Sequence, residues 1–396
     1  MKKFVWIITA LAVISCGTQK KIASGDEKNS SVVAVARDNE MNRVRFGMDL
    51  VSKAIAGCKS SSENVVISPY SAGVALSMLA EGADGDTRKE LLTALSNASY
   101  ATAKLKSSKD YIISSANSVW LSNGFDLNQG YANVLENVYG AQIETKDFMD
   151  KSTVREINKW CSAKTSGRIP KIIDEVSPDM VMFLLNALYF KASWQFAFDE
   201  ESTYDAVFHS PSGDMKTPFM HKSGEYAYGE KAGCRYVILP YKSDVYKMII
   251  CLPAKDSDIK SIASGIDASV FVDAISSAEF GETAISLPRF KINTTLTLNN
   301  ILAEMGVQKA FSSEADFSGI TSSSVAVDAV MQKCFIEVNE AGSEAAAVTS
   351  VGIRLTSMHD APKPFIMNVD RPFLFAIFDS SSHDILFAGK ISSIEK

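Results

Sequence analysis

Three stretches of this chain read as strands without a polar face: VMFLLNALYFKASW (residues 181–194), KMIICLP (247–253) and RPFLFAIFDSSSHDILFAGKI (371–391). Successive side chains of a strand point to opposite faces, so a strand that is apolar throughout needs cover on both sides of its sheet. The third stretch is interrupted by polar residues and predicts two strands joined by a turn. Helical signals lie elsewhere. Thr87-Arg88-Lys89-Glu90 ahead of Leu91 and Leu92 predicts a capping box, and TLTLNNILAEMGV places Leu298, Ile301, Leu302 and Met305 at helical spacing before Gly306. Helices first, then strands, then more of both predict an α+β fold and not alternating βαβ units.

With 46% hydrophobic and 22% charged residues, the 396-residue chain has the balance of a water-soluble protein with a large core. Its first residues, MKKFVWIITALAVISCG, have the form of a targeting signal: Lys2 and Lys3 make a positive end, and Phe4 to Ile14 are too few to span a bilayer. Val13-Ile14-Ser15-Cys16 resembles a bacterial lipobox, which implies a signal peptide over residues 1–15 and a lipid on Cys16. An ordinary secretory signal that contains a cysteine is the alternative. Residues 16–40, rich in Lys, Ser, Asp and Asn, predict a flexible tether. Beyond Met41 there is no second linker, fixed-period repeat or block of like charge, so residues 41–396 predict one domain.

Loss of Lys2 and Lys3 with the leader takes the formal net charge from −6 to −8, which disfavours nucleic acid. Cys58, Cys161, Cys234, Cys251 and Cys334 stand singly and in odd number, as buried apolar fillers do. An enzyme should show a constellation, yet GxSxG, HExxH, Walker and GxGxxG patterns are all missing from the sequence. His209, His221, His359 and His383 lack the spacing of paired ligands and read as solvated loop residues. The acidic run EGADGDTRKE lacks the oxygen pattern of a calcium loop and reads as a helix entry. No enzyme, metal site or cofactor is expected.

One segment fits neither strand, helix nor ordinary loop: NEAGSEAAAVTSVGIRLTS, residues 339–357. Counting by twos from Ser343 gives Ser343, Ala345, Ala347, Thr349, Val351, Ile353 and Leu355, small residues followed by aliphatic ones. Both nearby charges, Glu344 and Arg354, fall on the other face. Such a strand could enter an existing sheet, burying the first set and leaving the charges outside. Gly342 and the small residues behind it form a hinge with little steric resistance. An Ala-rich helix is the plain alternative, against which Val348, Thr349, Val351 and Ile353 count.

The surroundings of this segment resemble the serpin family from about Met41 to Ile394. The match is carried by NVVISPYSAGVALSMLAEGADGDTRKELLTAL, NALYFKASWQFAF, LPRFKINTTLTLNNILAEMGVQKAFSSEADFSGI and RPFLFAIFDSSSHDILFAGKI, all in family order. The resemblance implies one metastable domain with three β-sheets, eight or nine helices and an exposed reactive loop, here residues 340–364. It further implies a monomeric suicide-substrate inhibitor. A target protease, serine or alternatively cysteine, would cut the loop, form an acyl-enzyme and be trapped when the loop inserts. A non-inhibitory binding protein with the same fold, on the bacterial envelope, is the alternative.

Carried over residue by residue, the hinge is Glu340, Gly342, Ser343, Glu344, Ala345, Ala346 and Ala347. Family spacing of fourteen residues from Gly342 puts the reactive bond at Thr356-Ser357, with Arg354, Leu355 and Met358 as alternatives. Residues 357–372 are longer than usual, with HDAPKP as the excess. Ser68, Ser71 and Asn186 match a buried polar cluster under the main sheet, in which Gln332 stands where members commonly have a histidine. Trp194 matches the tryptophan where the loop first enters. With a lipid on Cys16, the protein would reside on a bacterial membrane, facing the periplasm or the outside.

Overall fold

The computed structural model describes residues 25–101, 105, 107–343 and 363–394. Its contacts divide the chain into Met1–Asp38 and Asn39–Lys396. In the first unit, residues 25–38 are helical where composition predicts a flexible tether. From Asp26 to Phe46 the sequence has neither glycine nor proline, so nothing breaks a helix once begun. Cys16 and the leader lie outside the described residues, among which no helix is long and apolar enough to cross a membrane.

The chain runs through α1 (Gly25–Ala56), β1 (Val65–Ile67), α2 (Pro69–Gly82), α3 (Gly85–Ala94), β2 (Tyr111–Ser122), α4 (Gln129–Val134), β3 (Gln142–Lys146), α5 (Ser152–Lys164) and β4 (Met182–Ser193). It continues as β5 (Thr203–Ser210), β6 (Gly213–Lys231), β7 (Cys234–Pro240), β8 (Tyr246–Pro253), α6 (Ile259–Gly265), α7 (Ala268–Ser276), β9 (Glu279–Pro288), β10 (Phe290–Thr297) and α8 (Asn299–Glu304). It ends with β11 (Ala329–Asn339), β12 (Gly342–Ser343), β13 (Phe365–Asn368), β14 (Phe373–Asp379) and β15 (Ile385–Ile391). The fold is α+β, with eight α-helices among the described residues.

The strands form two hydrogen-bonded networks. One follows β1-β15-β14-β8-β7-β6-β9-β13 with β5 beside β6, and the other follows β10-β11-β12-β4-β2-β3. Three sheets are expected from the resemblance. Two of them are joined here because β6, 19 residues long, pairs with β7 at one end and with β5 at the other.

Packing explains the apolar strand runs. Along β4, Leu188, Phe190 and Ala192 point into the core between the sheets, while Phe183, Leu185, Ala187 and Tyr189 point into a second core with Ile157 and Cys161 of α5. Ser68 caps α2 by accepting from the Ser71 amide at 3.2 Å, and Pro69 opens the helix where its missing N–H costs nothing. Nearly all of α2 is buried, as suits a helix apolar all round.

The capping box expected at Thr87 takes a different form. Asp84 is the N-cap, and Thr87 Oγ1 accepts from the Asp316 amide at 2.9 Å. Glu90 accepts from the Gln308 and Lys309 amides, each at 2.8 Å. Both side chains serve a distant loop and not their own helix.

Candidate functional site

β11 and β4 run parallel and pair directly from Ala329↔Phe183 to Phe335↔Tyr189. Beyond Tyr189 they separate, and the two residues of β12 fill the gap, antiparallel to both: Ser343 lies opposite Ala192 and Val338, Gly342 opposite Ser193 and Asn339. Gly342 has φ +150°, and a Cβ there would run into the Ala192 carbonyl, so only glycine fits. The turn into β12 is held by Asn339 Oδ1, which accepts from the amides of Ala341 at 3.1 Å and Gly342 at 3.3 Å.

This turn is fastened from three sides. Trp194 donates from Nε1 to the Asn339 carbonyl at 2.9 Å and from its amide to the Ala341 carbonyl at 3.0 Å. Its indole stacks on Tyr241 at 4.5 Å and 9°. Ser343 is fully buried, and its Oγ lies 2.6 Å from the Tyr241 hydroxyl. Burial pushes the Tyr241 phenol far up, so it stays a neutral hydrogen-bonding group.

Glu340 is 5% exposed and takes Arg289 Nη2 at 2.6 Å, Arg289 Nε at 2.7 Å and Thr203 Oγ1 at 2.5 Å. Burial alone would push its carboxyl up. The bonds from Arg289 and Thr203 outweigh that and hold it below the ordinary value. A cavity of about 790 Å³ opens beside Glu340, between β5, β6, β10 and β11.

Further down the seam, four side chains expected from sequence come together in the buried interior. Gln332 Oε1 accepts from the Ser68 amide at 2.7 Å, and its Nε2 donates to the Ser68 carbonyl at 3.0 Å and to Asn186 Oδ1 at 3.3 Å. Asn186 accepts from the Ser71 hydroxyl and donates to the Ser71 carbonyl and to Asn117 Oδ1. Gln332 therefore completes the network at the position where a histidine is common, using both of its polar atoms. The cluster of Ser68, Ser71, Asn117, Asn186 and Gln332 contains no ionisable group.

Glu344, Ala345, Ala346 and Ala347, and the reactive-bond candidates Arg354, Leu355, Thr356, Ser357 and Met358, lie outside the described residues. Tyr241, Arg289, Thr203 and Asn117 were not singled out from sequence, because each joins the site from a segment remote along the chain: Asn117 from β2, Thr203 from β5, Tyr241 just after β7 and Arg289 between β9 and β10.

The histidines depart from the loop reading in two cases. His209 is on β5, 2.8 Å from Asp214, and His221 is on β6, stacked on Tyr204 at 4.0 Å; among the described residues only His383 lies in a loop, between β14 and β15, and His359 is outside them. The five cysteines described are all free, and Cys58, Cys161, Cys234 and Cys334 are buried. Burial pushes the Cys161 thiol up to about 12 and that of Cys234 to about 11, the opposite of a reactive thiolate. Among the described residues no group of His, Cys, Asp and Glu could hold a metal ion.

Comparison with known proteins agrees with this architecture. A family model described as serpin (serine protease inhibitor) matches residues 41–394. An uncharacterized serpin-like protein of Thermococcus kodakarensis is 32% identical over 361 residues, 87% of this chain and 83% of that protein. A serine protease inhibitor of Cyanea capillata is 32% identical over 356 residues, 84% of this chain and 93% of its own. The crystal structure of tengpin, a thermophilic serpin in its native state, matches with a TM-score of 0.83 at 29% identity, covering 95% of this chain and 96% of that one. On its fold, and on a family match that spans nearly the whole second unit, the chain belongs to the serpin family.

Proposed function

We propose that the protein is a suicide-substrate inhibitor of proteases and not a catalyst. The observation that carries this reading is β12, a two-residue strand already wedged between β11 and β4 at the head of the loop segment. The protease nucleophile attacks the carbonyl carbon of the reactive bond, the C–N bond breaks, and the new amino end leaves while the amino-terminal part of the loop stays esterified to the enzyme. That part is then free to lengthen β12. Serpin loop insertion is a recognised release of stored strain.

The register of β12 fixes what insertion would bury. Continuing from Ser343 opposite Ala192, Ala345 would lie opposite Phe190, Ala347 opposite Leu188, Thr349 opposite Asn186, Val351 opposite Leu184 and Ile353 opposite Met182. Phe190, Leu188, Leu184 and Met182 are core residues, so small or apolar partners are required there. The seven direct pairs between β11 and β4 must part, and the Gln332–Asn186 bond with them. The protease is carried along with the strand, its catalytic geometry is spoiled, and deacylation fails.

We take Thr356-Ser357 as the reactive bond and Cys16 as the site of a lipid that would hold the inhibitor on a bacterial envelope. The test is to mix the protein with serine and cysteine proteases and run denaturing gels. A heat- and detergent-stable band at the summed mass is expected. The mass of the released carboxyl-terminal peptide then chooses between Thr356, Arg354, Leu355 and Met358. Cleavage within residues 344–362 without such a band, for every protease, would make this a non-inhibitory member and overturn the reading.

A further inference from the structure

Away from the seam, a cleft of about 620 Å³ opens between the strap that follows β4 and strands β6, β7 and β9. That size is ordinary for a small-molecule site. Two large aromatic side chains stand on its walls, Phe196 at 52% and Phe280 at 71% exposed, over a floor that includes the buried Tyr226 and Ile238. Phe196 meets Tyr226 edge-on at 6.4 Å. Aromatic surface left in water around a single cleft marks a place where something apolar would be welcome.

The cleft also holds a cation without a matching anion. Lys222 is half-buried, its Nζ donates to the Ala197 carbonyl at 2.5 Å, and no carboxylate lies within ion-pair distance of it among the described residues. Asp199 acts on it only at longer range, and burial pulls its pKa down. The other lysine on the wall, Lys247, is already paired with Asp244 at 3.4 Å. Glu225 sits on the exposed rim, so the desolvated charge of the cleft is that of Lys222. A half-buried ammonium that relies on one neutral carbonyl is unfavourable, and a carboxylate brought to it would relieve the cost.

We propose that this cleft binds a small amphipathic carboxylate, with its apolar body between Phe196 and Phe280 and its carboxylate on Lys222. The strap is shared with the hinge: Gln195 N donates to the Pro240 carbonyl at 2.9 Å on the cleft side, and Phe198 N to the Glu340 carbonyl at 2.8 Å on the hinge side. The site does not depend on protease trapping, and its test uses no protease.

Isothermal titration of the full chain with dodecanoate, kept below its micelle concentration, is the test, with dodecanol as the uncharged twin. Saturable one-to-one binding of dodecanoate is expected. Dodecanol, and dodecanoate on a Lys222→Gln variant, should each bind about tenfold more weakly, the loss of one charge-assisted contact. Phe280→Ala, an exposed truncation that leaves the fold intact, should weaken binding severalfold. Absence of saturable binding, equal affinity of Lys222→Gln and the unaltered chain, or equal binding of dodecanol and dodecanoate would each overturn the proposal.

Discussion

The seam between β11 and β4 is built in two ways along its length. At the hinge end the strands are already apart, and what fills the gap is fastened by an ion pair, an aromatic stack and the buried Ser343–Tyr241 contact. Lower down the strands touch, and the seam is closed by uncharged amides and hydroxyls whose bonds are shared among Ser68, Ser71, Asn117, Asn186 and Gln332. In the proposed mechanism, lengthening β12 would leave the upper fastenings in place and part the Gln332–Asn186 bond that crosses the seam below. The upper end would then set where a new strand starts, and the lower end the resistance it meets. Neutral groups suit the lower role, because a network of amides can part without stranding a charge in the core.

The sharpest way to break this comparison is to stop the new strand at the boundary. In the proposed register Ala347 meets Leu188, which is fully buried between the sheets. Ala347→Glu would force an unpaired carboxylate into that core, at a cost on the order of several kcal/mol. The variant should fold as before and be cut by the same protease, with the covalent band lost from denaturing gels and cleaved inhibitor accumulating in its place. An undiminished band would mean that insertion does not reach Leu188 in this register.

Next in size is the lower network itself. Asn186→Ala leaves Ser71, Asn117 and Gln332 without their shared partner in a buried site, for about 2–4 kcal/mol. The urea midpoint should fall accordingly, and the uncut variant should lose inhibitory activity faster on storage, since the barrier to opening drops with the seam. Unchanged stability would show that water or a neighbouring hydroxyl takes up the freed bonds.

The upper fastening should be weaker and should carry the pH dependence. Glu340 has its carboxyl held below the ordinary value of 4.5 by Arg289 and Thr203. A lowered folded-state value contributes stability that is fully present above the unfolded value and is lost as pH falls through the folded one. The contribution should therefore persist at pH 5 to 8 and fade below about 4.5. Arg289 is 43% exposed, which limits the contribution to about 1 kcal/mol. Glu340→Gln should flatten this part of the stability profile, measured by urea unfolding between pH 7 and pH 3.5, while the lower network, without an ionisable group, should leave no trace there.

The two regions also differed in how far they could be read from sequence. A role that follows from position along one strand was legible in the apolar run of β4, whose alternate side chains enter two cores. Ser71, Asn186, Gln332 and Trp194 came through likeness to a family, and the structure joins the first three with Ser68. What stayed hidden was long-range pairing. Tyr241 and Thr203 reach the hinge across 102 and 137 residues, and no local pattern marks them. Thr87 and Glu90 show the opposite failure, a local pattern with a sound physical basis whose side chains are claimed by a distant loop. The helix beginning at Gly25 was missed because polar composition argues for disorder, while helix formation there needs only an unbroken run without glycine or proline.

The smallest effect concerns the outer face of the inserted strand. In the register that sets Ser343 opposite Ala192, Glu344 would fall opposite Lys191, on the face turned away from the core between the sheets. Opposite charges placed directly across an antiparallel pair contribute roughly 0.2–1 kcal/mol at a half-exposed position. This pair can form only after insertion, so it should be invisible in the native protein and present in the cleaved one. Lys191→Glu should leave the native melting temperature unchanged and lower that of the loop-cleaved form slightly. Glu344→Lys added to it should restore the cleaved form and not the native one. Equal shifts in both forms would mean that Lys191 acts in the sheet as it already stands, and that the strand enters in another register.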